Sequence, residues 1–320
     1  MKISLETIKK RMANSAIGPS TTKPTSVSTP QDRIRRLVWK IAIATLLLMA
    51  VGSATRVMNA GLACPDWPLC YGELVPTQQM NLQVFLEWFH RLDASLIGLM
   101  AIALAGLAWW DRRHLPSWLP IAATGALGLI VFQGALGAFT VTEMLRFDIV
   151  TAHLGTALVF FTTVLIIGLS LMPYEGTGVT GKLRWVGVTA ATLVYLQSLL
   201  GGLVGSQWAL HQCFGYQQLC GVMHGHIAGV LPPTVAIVTL VIMAWRTAAL
   251  HPMLRQLAFW TGGLLGLQIL LGVATFYLRL QVEPLTVAHQ TIGAALLGTL
   301  VAFSAIAIRD YRQTKLVSSK

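Results

Sequence analysis

Charge is what this chain lacks. Charged residues make up 11% of its 320 residues, where soluble domains carry roughly 25%. Acids are the scarcest, 12 against 23 lysines and arginines. So little charge cannot cover a water-facing surface, which points to lipid instead. The chain also lacks a compact Cys/His quartet within any one loop, which argues against a zinc site. Its N-terminus has no apolar stretch of the kind a cleavable signal peptide needs. Residues 1–36 are polar and rich in Ser, Thr and Pro, the composition of a disordered tail.

What is abundant is apolar sequence, 55% of the chain. A membrane helix needs about 20 mostly apolar residues. Eight stretches qualify: 37–58, 82–110, 119–141, 148–171, 185–206, 221–245, 258–279 and 285–308. The expected fold is an all-α integral membrane protein of eight transmembrane helices. With the N-terminus inside, every lysine and arginine falls on the cytoplasmic side except Arg56, Arg91, Arg146 and Arg279. The positive-inside rule therefore puts both termini in the cytoplasm. The net charge of +11 is accounted for by that rule and by anionic lipid, so it gives no reason to expect nucleic acid.

The four cysteines form two pairs, Cys64 with Cys70 after the first span and Cys213 with Cys220 after the fifth. Both loops are extracytoplasmic in this topology. That compartment is oxidising, so each pair is expected to form a disulfide.

The two halves resemble each other. FDIVTAHLGTALV around His153 reads like PLTVAHQTIGAALLG around His289, and QGALGAF at 133–139 reads like QILLGVA at 268–274. Four helices per half make the repeats parallel. The expected arrangement is two pseudo-symmetric four-helix bundles, residues 37–172 and 173–308, followed by a cytoplasmic tail at 309–320.

Histidines recur in the same places. His90 and His153 lie in the second and fourth spans, His224 or His226 in the sixth, and His289 in the eighth. An ionisable side chain at membrane depth is costly and marks a functional site. Paired imidazoles on different helices of a bundle are what a heme iron needs as axial ligands. The step from His90 to His226 equals that from His153 to His289, 136 residues. On the other side, His224 has Ala228 four residues on, as His90 has Ala94. Both therefore remain candidates. His114, His211 and His251 fall in loops and are expected to be solvated. Each histidine pair should lie near the extracytoplasmic end of its helices. Arg56, Arg146 and Arg279 fall at that level and are candidate partners of heme propionates, since Arg suits planar carboxylates.

Glu87 lies three residues before His90 on the same helix face, while the equivalent positions Gly221 and Met223 carry no acid. A carboxylate at a heme edge can take protons or stabilise positive charge. The competing reading is an ion pair with Arg91 at i, i+4. Asp93 is a weaker second candidate.

Taken in order, these motifs resemble the bacterial heme A synthases. The resemblance covers about residues 37–308. It rests on Glu87-Trp88-Phe89-His90-Arg91, on Cys64 with Cys70, and on His153, His224 or His226, and His289. The chain departs from that family in carrying His-Gly-His where His-Arg is frequent, in a wider second cysteine pair, and in its long tail.

The resemblance implies an oxidoreductase that converts the C8 methyl of heme O to the formyl group of heme A for cytochrome oxidase, with oxygen from water. It implies the substrate heme between His90 and His153, and a permanent heme b between His224 or His226 and His289. It gives Glu87 the catalytic role, by stabilising a carbocation or trapping it as an ester. Cys64 and Cys70 would relay electrons or receive heme. Implied partners are heme O synthase and cytochrome oxidase assembly factors in a bacterial inner membrane, and a homo-oligomer stays open. The rival from another class is a non-catalytic, quinol-linked diheme b electron carrier. A membrane thiol–disulfide exchanger would explain the cysteines but leave the histidines idle.

Overall fold

Every regular element among the described residues is a helix. The computed structural model describes residues 29–205 and 217–318, with side chains over 29–205 and 221–313. In chain order the helices are α1 Pro30–Val57, α2 Leu82–Trp110, α3 Leu119–Thr142, α4 Phe147–Ser170, α5 Leu183–Val204, α6 Gln217–Ala228, α7 Leu231–Arg246, α8 Pro252–Tyr277 and α9 Glu283–Ser318. They supply eight spans long and apolar enough to cross a membrane, with α6 and α7 sharing the sixth.

Local chemistry sets the ends and explains where the spans outrun the hydropathy. α1 starts seven residues before the apolar stretch, because Thr29 caps it and Pro30 opens it. The Thr29 hydroxyl accepts from the Asp32 amide at 3.2 Å. α8 likewise starts at Pro252, capped by His251, whose Nδ1 accepts from the Met253 amide at 3.2 Å. His251 also packs on Tyr174, with ring centres 4.8 Å apart. It is therefore a helix cap rather than a freely solvated loop residue. His114 is exposed, as expected. His211, Cys213 and the side chain of Cys220 lie outside the described residues. The sixth span breaks at Gly229–Val230, where Pro232 and Pro233 follow and supply no backbone donors.

The turns after α1, α3 and α8 repeat one backbone solution. Asn59, Met144–Leu145 and Arg279–Leu280 all adopt left-handed φ between 52° and 60°. In each, an amide reaches back five residues: Ala60 to Thr55, Leu145 to Thr140, Leu280 to Thr275.

Helices α1 to α4 pack in a closed ring, each against its sequence neighbour and α1 against α4. Helices α5 to α9 form a second ring, with α5 against α9. The rings meet where α1 and α4 touch α9, and α4 touches α5. Each ring is densely packed at one end. In the first, Ile34, Val38, Leu104, Leu119, Phe160 and Leu171 form that core. In the second, Leu240, Leu254, Leu300, Phe303 and Ile306 do so. Both cores lie toward the ends of the helices away from the histidines. The linker between rings is strapped onto α9 at that same end. Tyr174 donates to Asp310 Oδ1 at 3.0 Å, the Thr177 amide donates to the same oxygen at 2.7 Å, and Arg309 donates to the carbonyls of Leu169 and Met172.

Candidate functional site

Four histidines occupy the end of the rings opposite the apolar cores. His90 is on α2, His153 on α4, His226 on α6 and His289 on α9, each about two turns from its helix start. Within each ring the two histidine-bearing helices are not neighbours, so their side chains converge across the diagonal. The rings of His226 and His289 stand 6.5 Å apart between centres, at 87° to one another. His90 and His153 sit on α2 and α4, the corresponding diagonal of the first ring. His224 is exposed. Of the two candidates on this segment, His226 is the one that faces His289.

Each of the four imidazoles rests on a glycine of the preceding span. A Cβ built on Gly52 would lie 2.8 Å from Cε1 of His90, and one on Gly137 3.3 Å from Cε1 of His153. On Gly201 it would lie 3.0 Å from Cε1 of His226, and on Gly272 2.9 Å from Cε1 of His289. Only glycine leaves these rings their present positions.

Three of the histidines also have a glutamine from the same neighbouring helix, four residues before that glycine. Gln133 Nε2 donates to the His153 carbonyl at 2.9 Å. Gln197 Nε2 donates to the His226 carbonyl at 2.6 Å and lies 2.9 Å from its Nδ1. Gln268 Nε2 lies 3.4 Å from His289 Nε2. Beside His90 the corresponding register position is Leu48. The sequence signal for these residues is Q-x-x-x-G, present as QGALG, QSLLG and QILLG, with LMAVG as the departure.

These residues fit a heme. All four histidines are half-buried, and Nδ1 of His90, His153 and His289 is buried without a hydrogen-bond partner. Two imidazoles with metal–nitrogen bonds of about 2 Å put their ring centres about 6 Å apart, close to the spacing of His226 and His289. No group of three or more His, Cys, Asp or Glu gathers among the described residues. A bare metal ion therefore has no cage there, whereas heme iron needs two axial ligands.

Glu87 is 4% exposed and fully engaged. One oxygen accepts from Arg91 Nη2 at 2.5 Å and the other from the Cys64 amide at 2.7 Å. Arg91 in turn donates to the carbonyls of Asp66 and Leu69, both at 2.6 Å, and of Cys64 at 3.4 Å. Cys64 and Cys70 are disulfide-bonded and buried. The i, i+4 ion pair weighed from the sequence thus exists, and it also ties the disulfide loop to the helix that carries His90. Arg91 as loop anchor was not legible in the sequence, because its partners are backbone carbonyls. Within the loop Asp66 accepts from the amides of Tyr71 at 2.6 Å and Gly72 at 2.8 Å. The Gly72 amide bond, with that of Tyr71, holds the Asp66 carboxyl below its ordinary pKa. Asp93, one turn beyond His90, is half-buried.

The three arginines singled out from the sequence separate. Arg146 is 55% exposed and committed to Asp148 at 2.8 Å and Glu143 at 3.5 Å. Its hydrogen bonds to Asp148 raise its pKa. Arg279 is exposed in the α8–α9 turn. Arg56 alone reaches into the protein, to Gln290 and Gly202.

The profile of the cytochrome oxidase assembly protein family (COX15-CtaA) matches residues 35–301. That is most of the chain and includes all four histidines, Glu87 and both cysteine pairs. The chain belongs to this family, that of the heme A synthases. Among its relatives is the heme A synthase of Shewanella oneidensis, 28% identical over 84% of this chain and 96% of that protein. The heme A synthase of Erythrobacter litoralis is 25% identical over 88% and 99%. That of Bacillus licheniformis is 26% identical over 85% and 95%.

Proposed function

We propose that this chain is itself a heme A synthase, oxidising the C8 methyl of heme O to the formyl group of heme A for cytochrome oxidase. The relatives supply the reaction class. The observation that carries the reading is the facing of His226 and His289 at 6.5 Å, in a ring whose diagonal partner arrangement recurs for His90 and His153. Residues 37–172 would hold the substrate and 173–308 a permanent heme b. Conversion of methyl to formyl with one water releases four protons and four electrons, so an acceptor outside the chain is required. A bound heme b supplies one-electron relay chemistry.

The chain's own groups would divide the rest of the work. His90 and His153 would bind and orient the substrate through their imidazoles. Glu87, one turn outward from His90, presents a carboxylate that Arg91 and the Cys64 amide hold in place. A fixed anion there favours positive charge developing on the neighbouring substrate carbon. The Cys64–Cys70 loop roofs that carboxylate and keeps bulk water from it. Both termini would be cytoplasmic, with the histidine ends and the loop facing outward, where heme O delivered through the membrane meets the site. Heme O synthase is the expected donor.

Pigment extraction from the purified protein tests this. Heme O or heme A beside heme B is the expected result. Heme B alone, in two equivalents, would favour the quinol-linked diheme carrier, a role with no use for Glu87. Glu87→Gln should retain the second-half heme and lose conversion of heme O. Full heme A production by that variant would remove Glu87 from the mechanism.

A further inference from the structure

We infer that Arg56, a residue of the first ring, is the carboxylate-binding residue of the heme site in the second ring. This rests on the reading above that His226 and His289 hold a heme, and it names the group that would take one of that heme's propionates.

Arg56 leaves α1 and crosses the junction between the rings. Its Nη2 donates to Gln290 Oε1 at 3.0 Å, and its Nη1 reaches the Gly202 carbonyl at 3.5 Å. Gln290 follows His289, and Gly202 follows Gly201, on which His226 rests. The guanidinium therefore stands against the backbone neighbours of both imidazoles of the second ring. Gln290 is held for it from the same helix, since the Ser53 hydroxyl donates to Gln290 Oε1 at 2.6 Å. Space for the guanidinium comes from Gly205, where a Cβ would lie 2.6 Å from Arg56 Nη2.

Its charge is not neutralised there. Among the described residues no carboxylate pairs with Arg56, and its Nε is buried with no partner. A cation held inside protein by neutral oxygens alone is strongly disfavoured, and an anion that accepts from Nε and Nη removes that penalty. A planar carboxylate matches the fork in two parallel hydrogen bonds. Of the other arginines at this end, Arg279 is exposed in its turn and the remaining two are engaged. Arg91 is taken by Glu87 and three carbonyls, and Arg146 by Asp148 and Glu143. A lipid phosphate or a free anion would satisfy the same chemistry, and the test separates these sources.

The test uses the full-length protein with His90→Ala, so that the first pair does not contribute, produced in a host starved of heme. Free-acid heme b and its dimethyl ester are titrated in detergent and followed by the Soret band. With Arg56 present, the free acid should bind at least tenfold more tightly than the ester. Arg56→Met should erase that preference by weakening the free acid to the level of the ester. Arg56→Lys should retain part of it and guards against a methionine variant that fails to fold. The midpoint potential of the bound heme should fall in Arg56→Met, because loss of the cation favours ferric iron. Equal binding of acid and ester with Arg56 present is the result expected of a phosphate or free-anion site, and it overturns the assignment. An undiminished preference in Arg56→Met overturns it too. Uptake of neither form overturns the heme reading as a whole.

Discussion

Gly272→Ala is a small change that should empty a heme site without unfolding the protein. The added Cβ would lie 2.9 Å from Cε1 of His289, 3.5 Å from Nδ1 and 3.8 Å from Nε2. Carbon atoms sit comfortably at about 3.5–4.0 Å, so the ring must retreat by roughly 0.5–1 Å. A ligand set tolerates about 0.5 Å of error. The fold should barely respond. Overpacking costs about 1–3 kcal/mol, and replacing glycine by alanine inside a helix returns about 1 kcal/mol. The net loss is then about 0–2 kcal/mol, while the axial bond from His289 is strained or broken. The expected result is normal membrane insertion, a melting temperature within a few degrees of wild type, and loss of the low-spin spectrum from the second half. Absorption and electron paramagnetic resonance spectra of purified protein measure the last. Gly266→Ala on the same helix is the control, because a Cβ there meets nothing within 4 Å. A Gly272→Ala protein with wild-type heme content and low-spin signals would refute the reasoning, and so would a Gly266→Ala protein that lost them.

Three further outcomes follow from the site. Gln197→Leu removes the amide that donates to the His226 carbonyl at 2.6 Å; the low-spin g-values of the second-half heme should shift and its midpoint potential move, whereas Leu48→Gln should leave both unchanged. Cys64→Ser opens a loop of only a few residues, so global stability should change little. Hydrogen exchange at the Cys64 amide, which donates to Glu87, should nevertheless rise sharply, and an unchanged rate would show that Arg91 alone secures the loop. Asp66 has a folded pKa held below its ordinary value by the Gly72 and Tyr71 amides, so its contribution is full above the ordinary aspartate range and is lost as pH falls through the lowered value. The protection factors of those two amides should be high at neutral pH and fall only in that acid window; in Asp66→Asn they should be low throughout, and equal protection would exclude the carboxylate as the loop's clasp.

Sequence alone is informative where single-residue chemistry repeats and silent where geometry decides. Eight apolar stretches and their order were legible because a membrane helix is a matter of length and composition. The starts of α1 and α8 lie several residues outside the apolar stretches, because Thr29-Pro30 and His251-Pro252 extend helices into polar sequence that hydropathy ignores. The histidines stood out as ionisable groups in apolar runs. His224 and His226 could not be ranked, because spacing gives each a plausible register and only the helix's rotation chooses which ring faces His289. The glycine under each histidine was invisible as a function, since glycine is common in membrane helices for other reasons. Only its pairing with Gln four residues earlier, three times over, carried a signal. Arg56 was visible as a charge but not as a bridge, because its partners Gln290 and Gly202 are distant in the chain.

The four hairpins that carry histidines are variations on one unit, and their differences are informative. Each places a glycine on the first helix beneath a histidine on the second. The three later units add the glutamine, and among the described residues the turns of the first, second and fourth units share the left-handed backbone. The first unit departs three times. Leu48 stands in the glutamine's place, Glu87 precedes the histidine, and Arg56 follows the glycine toward the other ring. A repeat that kept only the demands of holding a ligand would have no reason to vary at these three positions together. Departures from an otherwise repeated local rule gather where function overrides it. A histidine on glycine alone, without an amide to brace it, suits a ligand that must release its heme. A buried carboxylate one turn away suits chemistry on that heme. The braced pair in the second ring suits a cofactor that stays. Under the function proposed above, exchange of substrate would belong to His90 rather than to His153, and heme O should leave more readily from Gln133→Leu than from wild type, while Leu48→Gln, by bracing His90, should slow its release.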